Sequence, residues 1–264
     1  MNKVALCVGI DKYGTGMPTD PNYLPGAVRS SHGMATLLRQ QGFSITEIYD
    51  DKATYSNILG AIKDLWVSAP NMGDVLVIQW AGHGLLVNGQ ACLVPVNVFP
   101  SDSSSHFEYL IPRSTWEVLI NQRPPHAHLF TNLDVCYSAG LDLVTRQDTP
   151  GIPQTPHVSL PYLDTFEQNN AFPKVPLFGN TNNLVEFSPC AGNQLSVEFP
   201  FGPTQDYYCL WTYWILRVMQ DPTLKGKSYY QIFQSASAKA MAQYGSAAPN
   251  VKGDMALLKK PFLT

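Results

Sequence analysis

Short, nearly uninterrupted apolar runs alternating with helical patterns leave this chain few folds to adopt. Val4–Ile10, Ser44–Tyr49 and Asp74–Ala81 read as strands, and a fourth runs from His128 to Leu133. Between them, Ala27–Gln41 sets Val28, Met34, Leu37 and Leu38 at helical spacing, with Gly42 as a C-terminal cap. Thr54–Trp66 repeats the pattern with Ile58, Leu59, Ile62, Leu65 and Trp66. Strands apolar on both faces, alternating with helices, predict an α/β fold with a mostly parallel sheet flanked by helices on both faces. Downstream, Ala91–Val96 and Leu184–Cys190 read as strands, and Ser114–Ile120, Gln205–Gln220 and Ser228–Tyr244 as helices. Thr145–Pro176 is Pro-rich and without periodicity, a length of loop that in a compact domain is functional or disordered. There is no internal repeat and no composition break, so residues 1–264 read as a single domain.

What stands at the strand ends carries the chemistry. Gln79-Trp80-Ala81-Gly82-His83-Gly84 closes one apolar run and Asp134-Val135-Cys136-Tyr137-Ser138-Ala139-Gly140 closes another. Open α/β sheets gather their functional residues at the carboxyl ends of strands. A cysteine at one end and a histidine at another form a nucleophile and a base. Cys136 would attack a carbonyl, and His83 would take the thiol proton and return it to the leaving amine. The backbone N–H groups of Gly84 and Cys136 would form an oxyanion hole. Either motif alone is ordinary, since a lone buried cysteine is usually packing and a lone histidine beside glycines usually a loop residue. Together they point to a cysteine peptidase.

Composition narrows the setting. A formal charge of −3 without basic runs argues against nucleic acid as a partner. Only 14% of residues are charged, which hints at surface reserved for a partner or a self-contact. The five cysteines, Cys7, Cys92, Cys136, Cys190 and Cys209, are scattered and unpaired, a pattern that fits a reducing compartment. The apolar start runs into Asp11-Lys12 without a cleavage site, and no stretch approaches the roughly 18 apolar residues of a membrane span. The expected location is cytoplasmic, with no membrane association and no cofactor. His126 and His128 lack a Cys, Asp or Glu partner for a metal, Gly226-Lys227-Ser228 lacks the first glycine of a P-loop, and no GxSxG elbow occurs.

With those residues in place, the chain resembles the caspase-like cysteine peptidases, in particular the metacaspase and prokaryotic caspase-homologue branch. Cys136 follows His83 by 53 residues, close to the spacing of about 50 in caspases. Further segments fall in the family's order: Val4-Ala5-Leu6-Cys7-Val8-Gly9-Ile10 with Tyr13 and Gly14, Leu24-Pro25-Gly26-Ala27-Val28, Leu93-Val94-Pro95, Cys190 through Glu198, and Pro249 through Asp254. The resemblance implies a caspase-like fold with a six-stranded sheet and a His–Cys dyad. It also implies a substrate pocket in which Asp134 favours Arg or Lys at P1, because a carboxylate pairs with a guanidinium and repels an acidic side chain. The alternatives are a non-basic P1 preference or an Asp134 that only bonds loop amides. Ser188 is a further expected pocket residue, as is Ser30, which stands where the family's second acidic residue usually falls. The Asp-rich segment usual after the His-Gly motif is replaced by Leu85-Leu86-Val87-Asn88-Gly89-Gln90, so no strict calcium requirement is expected. Arg146 and Lys174 are the only basic residues of the 145–176 loop, where the family carries a linker cut on activation. The expected partners are protein substrates and an activating protein or protease, with the chain a monomer or homodimer. The resemblance suggests a regulated effector, held as a zymogen, of a stress, cell-death or antiviral pathway. A caspase-fold binding scaffold with little turnover is the competing reading.

Overall fold

The parallel strands that the apolar runs predict all lie in one sheet. The structure, a computed structural model, describes residues 1–20, 22–87, 89–101, 105–136, 182–190, 196–245, 247 and 249–263. The strands are β1 (Lys3–Gly9), β2 (Ser44–Tyr49), β3 (Val75–Ala81), β7 (His128–Asp134), β8 (Leu184–Ser188) and β11 (Asn250–Gly253), in the order β11-β8-β7-β3-β1-β2. All neighbours pair in parallel except β11, which runs antiparallel to β8. A second, three-stranded antiparallel sheet joins β4 (Gly84–Val87), β5 (Gln90–Leu93) and β6 (Ile111–Pro112). A two-stranded ribbon pairs β9 (Glu198–Phe201) with β10 (Asp206–Cys209).

Alternate residues of each central strand face opposite layers, so the strands had to be apolar throughout. Leu6, Val8, Leu76, Ile78, Leu129 and Leu133 pack under α2 (Tyr55–Val67) and α3 (Arg113–Asn121). Ala5, Cys7, Val75, Val77, Phe130, Val185 and Phe187 pack under α1 (Ala27–Gln40), α4 (Leu210–Gln220), α5 (Tyr229–Gln243) and α6 (Met255–Leu258). Trp211 belongs to this second layer, as its helical spacing suggested. The ends of the helices carry local signals. Ser228 and Gln231 form a reciprocal capping box at the start of α5, which is the role of the serine in the Gly-Lys-Ser triplet. Gly42, at φ +85°, follows the C-cap residue Gln41 in the left-handed conformation that favours glycine.

Two boundaries differ from the sequence reading by more than two residues, each for a local reason. The strand expected to reach Val96 stops at Leu93, because Pro95 has no N–H for a ladder and Val96–Val98 turns into a 3-10 helix. The helix expected from Gln205 starts only at Leu210. The aromatic Asp206-Tyr207-Tyr208-Cys209 stretch pairs instead with Phe201-Pro200-Phe199-Glu198. The proline-rich loop, with Arg146 and Lys174, lies outside the described residues.

Phe187 is fully buried and touches the rings of Phe130, Trp211, Phe233 and Phe262. Phe187→Ala is therefore expected to lower stability by about 3–5 kcal/mol, read as a shift of the urea midpoint with an unchanged slope.

Candidate active site

The register of the sheet brings the two motifs side by side. Ala81 at the end of β3 pairs with Asp134 at the end of β7, and with Gly9 at the end of β1. The residues leaving these three strand ends, Asp11, His83 and Cys136, therefore emerge on one edge. Gly84 shows how close the approach is. A Cβ at that position would stand 2.1 Å from the Cys136 carbonyl oxygen and 3.1 Å from its nitrogen. Only a glycine lets the residue after the histidine lie against the backbone of the cysteine.

His83 is held from three sides. Its backbone N–H donates to the Tyr13 hydroxyl at 3.0 Å, and that hydroxyl donates to the Val94 carbonyl at 2.9 Å. The Tyr13 and His83 rings pack at 4.6 Å between centroids. The Nε2–H donates to the Asn22 carbonyl at 2.7 Å, which leaves Nδ1 as the acceptor of the neutral ring. Burial lowers the His83 pKa to about 4, so the ring is neutral at physiological pH. Cys136 is half-buried, and its thiol donates to the Ser196 carbonyl at 3.8 Å. Burial, reinforced by the charges of Asp134 and Glu198, pushes the Cys136 thiol up to about 11. Both shifts favour thiol and neutral imidazole over thiolate and imidazolium.

Asp134 and Glu198 act on the thiol, and Asp11 acts in turn on Glu198. Asp134 is 1% exposed. Its Oδ2 accepts from the Thr212 backbone N–H at 2.8 Å and from the Thr212 hydroxyl at 2.6 Å, and its Oδ1 accepts from the Ser196 hydroxyl at 2.6 Å. Glu198 accepts from the Gly26 N–H at 3.0 Å, and Asp11 from the Val28 N–H at 2.7 Å, both at the start of α1. Burial raises all three carboxylates, Glu198 to about 8 and Asp11 to about 6, with mutual repulsion adding to the rise in Glu198. Among the described residues no lysine or arginine forms an ion pair with any of them.

Of the other residues singled out from the sequence, Ser30 is fully buried near this group, its hydroxyl accepting from the Cys209 N–H at 2.9 Å. Ser188 lies farther along the sheet, its hydroxyl bonded to the Asn250 carbonyl at 3.4 Å between β8 and β11. The His126 ring contacts the Ala69 carbonyl and the His128 ring faces Lys260. Among the described residues no group of three His, Cys, Asp or Glu is placed to hold a metal ion, and no helix is long and apolar enough to cross a membrane. Sequence reasoning assigned no role to Asp11, Asn22, Ser196 or Glu198. Asp11 carried a readable signal in its place just after β1, and Glu198 another at the end of the Cys190–Glu198 segment; Asn22 offers only a backbone carbonyl.

Comparison with known proteins identifies the class of protein to which the chain belongs. The Caspase domain family model matches residues 2–253, and the chain belongs to this family of cysteine peptidases. Metacaspase-4 of Arabidopsis thaliana is 29% identical over 160 residues, which span 53% of this chain but only 34% of that protein. The fold is similar to that of protein GSU0716 from Geobacter sulfurreducens, with a TM-score of 0.67 and 20% identity over 100% of this chain and 99% of that one. It is similar also to the Drosophila initiator caspase Dronc, with a TM-score of 0.55 and 13% identity over 99% of this chain and 82% of that one. The fold is caspase-like, as the sequence led one to expect.

The raised Glu198 carboxyl has a measurable consequence. The folded chain keeps a proton there that the unfolded chain has lost, so folding binds the extra proton between the ordinary glutamate range and about pH 8. This contribution favours the fold at low pH and fades as the pH rises through that window. Glu198→Gln should therefore melt near the wild-type temperature at pH 5 and above it at pH 8.5, in matched calorimetric scans.

Proposed function

We propose that this peptidase cleaves protein substrates after arginine or lysine, using a dyad of Cys136 and His83. The observation that carries the reading is the group of three buried carboxylates, Asp134, Glu198 and Asp11, none of them ion-paired to a lysine or arginine among the described residues. A P1 guanidinium or ammonium would supply a compensating positive charge, and an acidic P1 would add to the negative charge. Ser30 lines the same region as a neutral wall.

In the proposed reaction the His83 Nδ1 takes the thiol proton while Asn22 holds the opposite ring nitrogen. The Cys136 sulfur attacks the scissile carbonyl, whose oxygen is received by the N–H groups of Gly84 and Cys136. The imidazolium then protonates the leaving amine, leaving a thioester on Cys136. Water, deprotonated by His83, attacks the thioester and returns the thiol. Burial alone would leave the thiol protonated, so a bound cation contributes to catalysis as well as to recognition, by favouring the thiolate. The neutral resting dyad also supports a latent enzyme that turns over only once substrate or an activator is present. Cutting of the 145–176 loop at Arg146 or Lys174 belongs to the same reading, as does action within a single peptidase domain on cytoplasmic proteins in stress, cell-death or antiviral responses. No strict calcium requirement is part of it.

Fluorogenic peptides carrying Arg, Lys, Asp or citrulline at P1 test this directly. Arg and Lys peptides should turn over, with kcat/KM rising between about pH 6 and pH 8.5 as Asp11 and Glu198 ionise. Cys136→Ala and His83→Ala should abolish turnover, and Glu198→Gln should cost roughly 10–100-fold on Arg but little on citrulline. Preferential cleavage after Asp, or equal rates on Arg and citrulline, would overturn the pocket assignment. A folded wild type that binds but never cleaves would favour the scaffold.

A further inference from the structure

Ser196 touches both halves of the site. Its hydroxyl donates to Asp134 Oδ1 at 2.6 Å, while its carbonyl accepts from the Cys136 thiol at 3.8 Å. Among the described residues no other is hydrogen-bonded to both the nucleophile and the pocket acid. The two ends of this bridge differ in strength. A hydroxyl to a carboxylate is a strong, charge-assisted contact, whereas a thiol is a weak donor.

The bonds around Asp134 also differ in how readily they can yield. Thr212 lies in the first turn of α4, fully buried, and its hydroxyl is further tied to Asn132 at 3.2 Å. Releasing it would unravel the helix start. Ser196 stands outside any strand or helix, two residues before β9, and is half-buried. Asp134 is all but closed to solvent, and an incoming cation competes with the Ser196 hydroxyl for Oδ1. A guanidinium or amidinium, with parallel N–H groups and a full charge, outcompetes a neutral hydroxyl for that oxygen.

We propose that Ser196 is a positioning residue that couples occupation of the basic-residue pocket to release of the nucleophile. When a cation takes Asp134 Oδ1, Ser196 is displaced and its carbonyl withdraws from Cys136. The S–H is then free to turn to the Nδ1 of His83, which the Asn22 contact leaves as an acceptor. The thiol is parked in the empty enzyme and delivered by the substrate's own side chain. This inference rests on the basic-P1 reading, and on the position of one residue beyond it.

The test uses the full chain and two small probes, iodoacetamide to report on Cys136 and benzamidine to occupy the pocket. Alkylation of Cys136 is timed by peptide mass at pH 7.5, with benzamidine binding measured separately by calorimetry, for wild type, Ser196→Ala and Ser196→Thr. In the wild type, bound benzamidine should speed alkylation roughly fivefold, the worth of one ordinary hydrogen bond. Ser196→Thr keeps the hydroxyl and should keep the response. Ser196→Ala should bind benzamidine yet alkylate quickly with or without it, the two rates within about twofold. Benzamidine that binds the wild type without changing its rate, or that speeds Ser196→Ala as much, would overturn the coupling and leave the basic pocket standing. The second of those results would assign the effect to charge acting through space. Failure of the wild type to bind benzamidine would remove the pocket reading and the coupling together.

Discussion

The carboxylate of Asp134 at the start of α4 is the contact on which the site depends. Cys209, the residue preceding that helix, supplies no side-chain cap. Asp134 reaches over from the neighbouring strand end and takes the Thr212 N–H and hydroxyl instead. A negative charge there is favoured by the helix dipole as well as by the hydrogen bonds. Behind it, Asn132 bonds Gln79 at 2.6 Å and accepts from the Trp211 indole at 2.8 Å. The end of β7, the middle of β3 and the first turn of α4 are thereby joined by polar contacts inside an apolar core. Such a network fixes one arrangement because every alternative leaves a buried group unsatisfied. Cys136 is two residues beyond Asp134, so the position of the nucleophile follows from that of the cap.

The same arrangement sets an electrostatic conflict that the empty enzyme leaves unresolved. Burial, with the charges of Asp134 and Glu198, favours the protonated sulfur, and burial favours the neutral form of the partner imidazole. Each effect alone disfavours the reactive ion pair. A cation entering the pocket reverses the sign of the local field. At a separation of about 7 Å and an effective dielectric of about 20, one charge is worth ~2 kcal/mol, or between one and two pKa units. That is enough to help the thiolate and too little to form it alone, so reorientation of the thiol toward His83 has to supply the rest.

Much of this was legible in the sequence. The apolar runs announced the parallel strands because burial on both faces demands them, and His83 and Cys136 were marked by standing just past two such runs. The β9–β10 ribbon was not legible, because Tyr207, Tyr208 and the helix that follows form one continuous aromatic and aliphatic stretch. Only pairing with Phe199 and Phe201 separates strand from helix. Glu198 and Asp11 were hidden for a related reason. Their proximity comes from two loops distant in the chain that meet at the start of α1, and no local pattern records such a meeting. Asp134 was read as a pocket acid or as a loop ligand. The structure makes it a cap for the start of α4, bonded to the Thr212 N–H and hydroxyl and to the Ser196 hydroxyl rather than to loop amides alone.

The account stands or falls on whether Cys136 reacts only when a basic side chain occupies the neighbouring pocket. The most direct measurement is intact and peptide mass after brief exposure to matched peptidyl chloromethyl ketones ending in Arg or Asp. The expected result is a single adduct on Cys136 from the Arg reagent, absent in His83→Ala and suppressed in Glu198→Gln, with no adduct from the Asp reagent. Equal labelling by both reagents, or labelling of Cys92, Cys190 or Cys209 in place of Cys136, would contradict it.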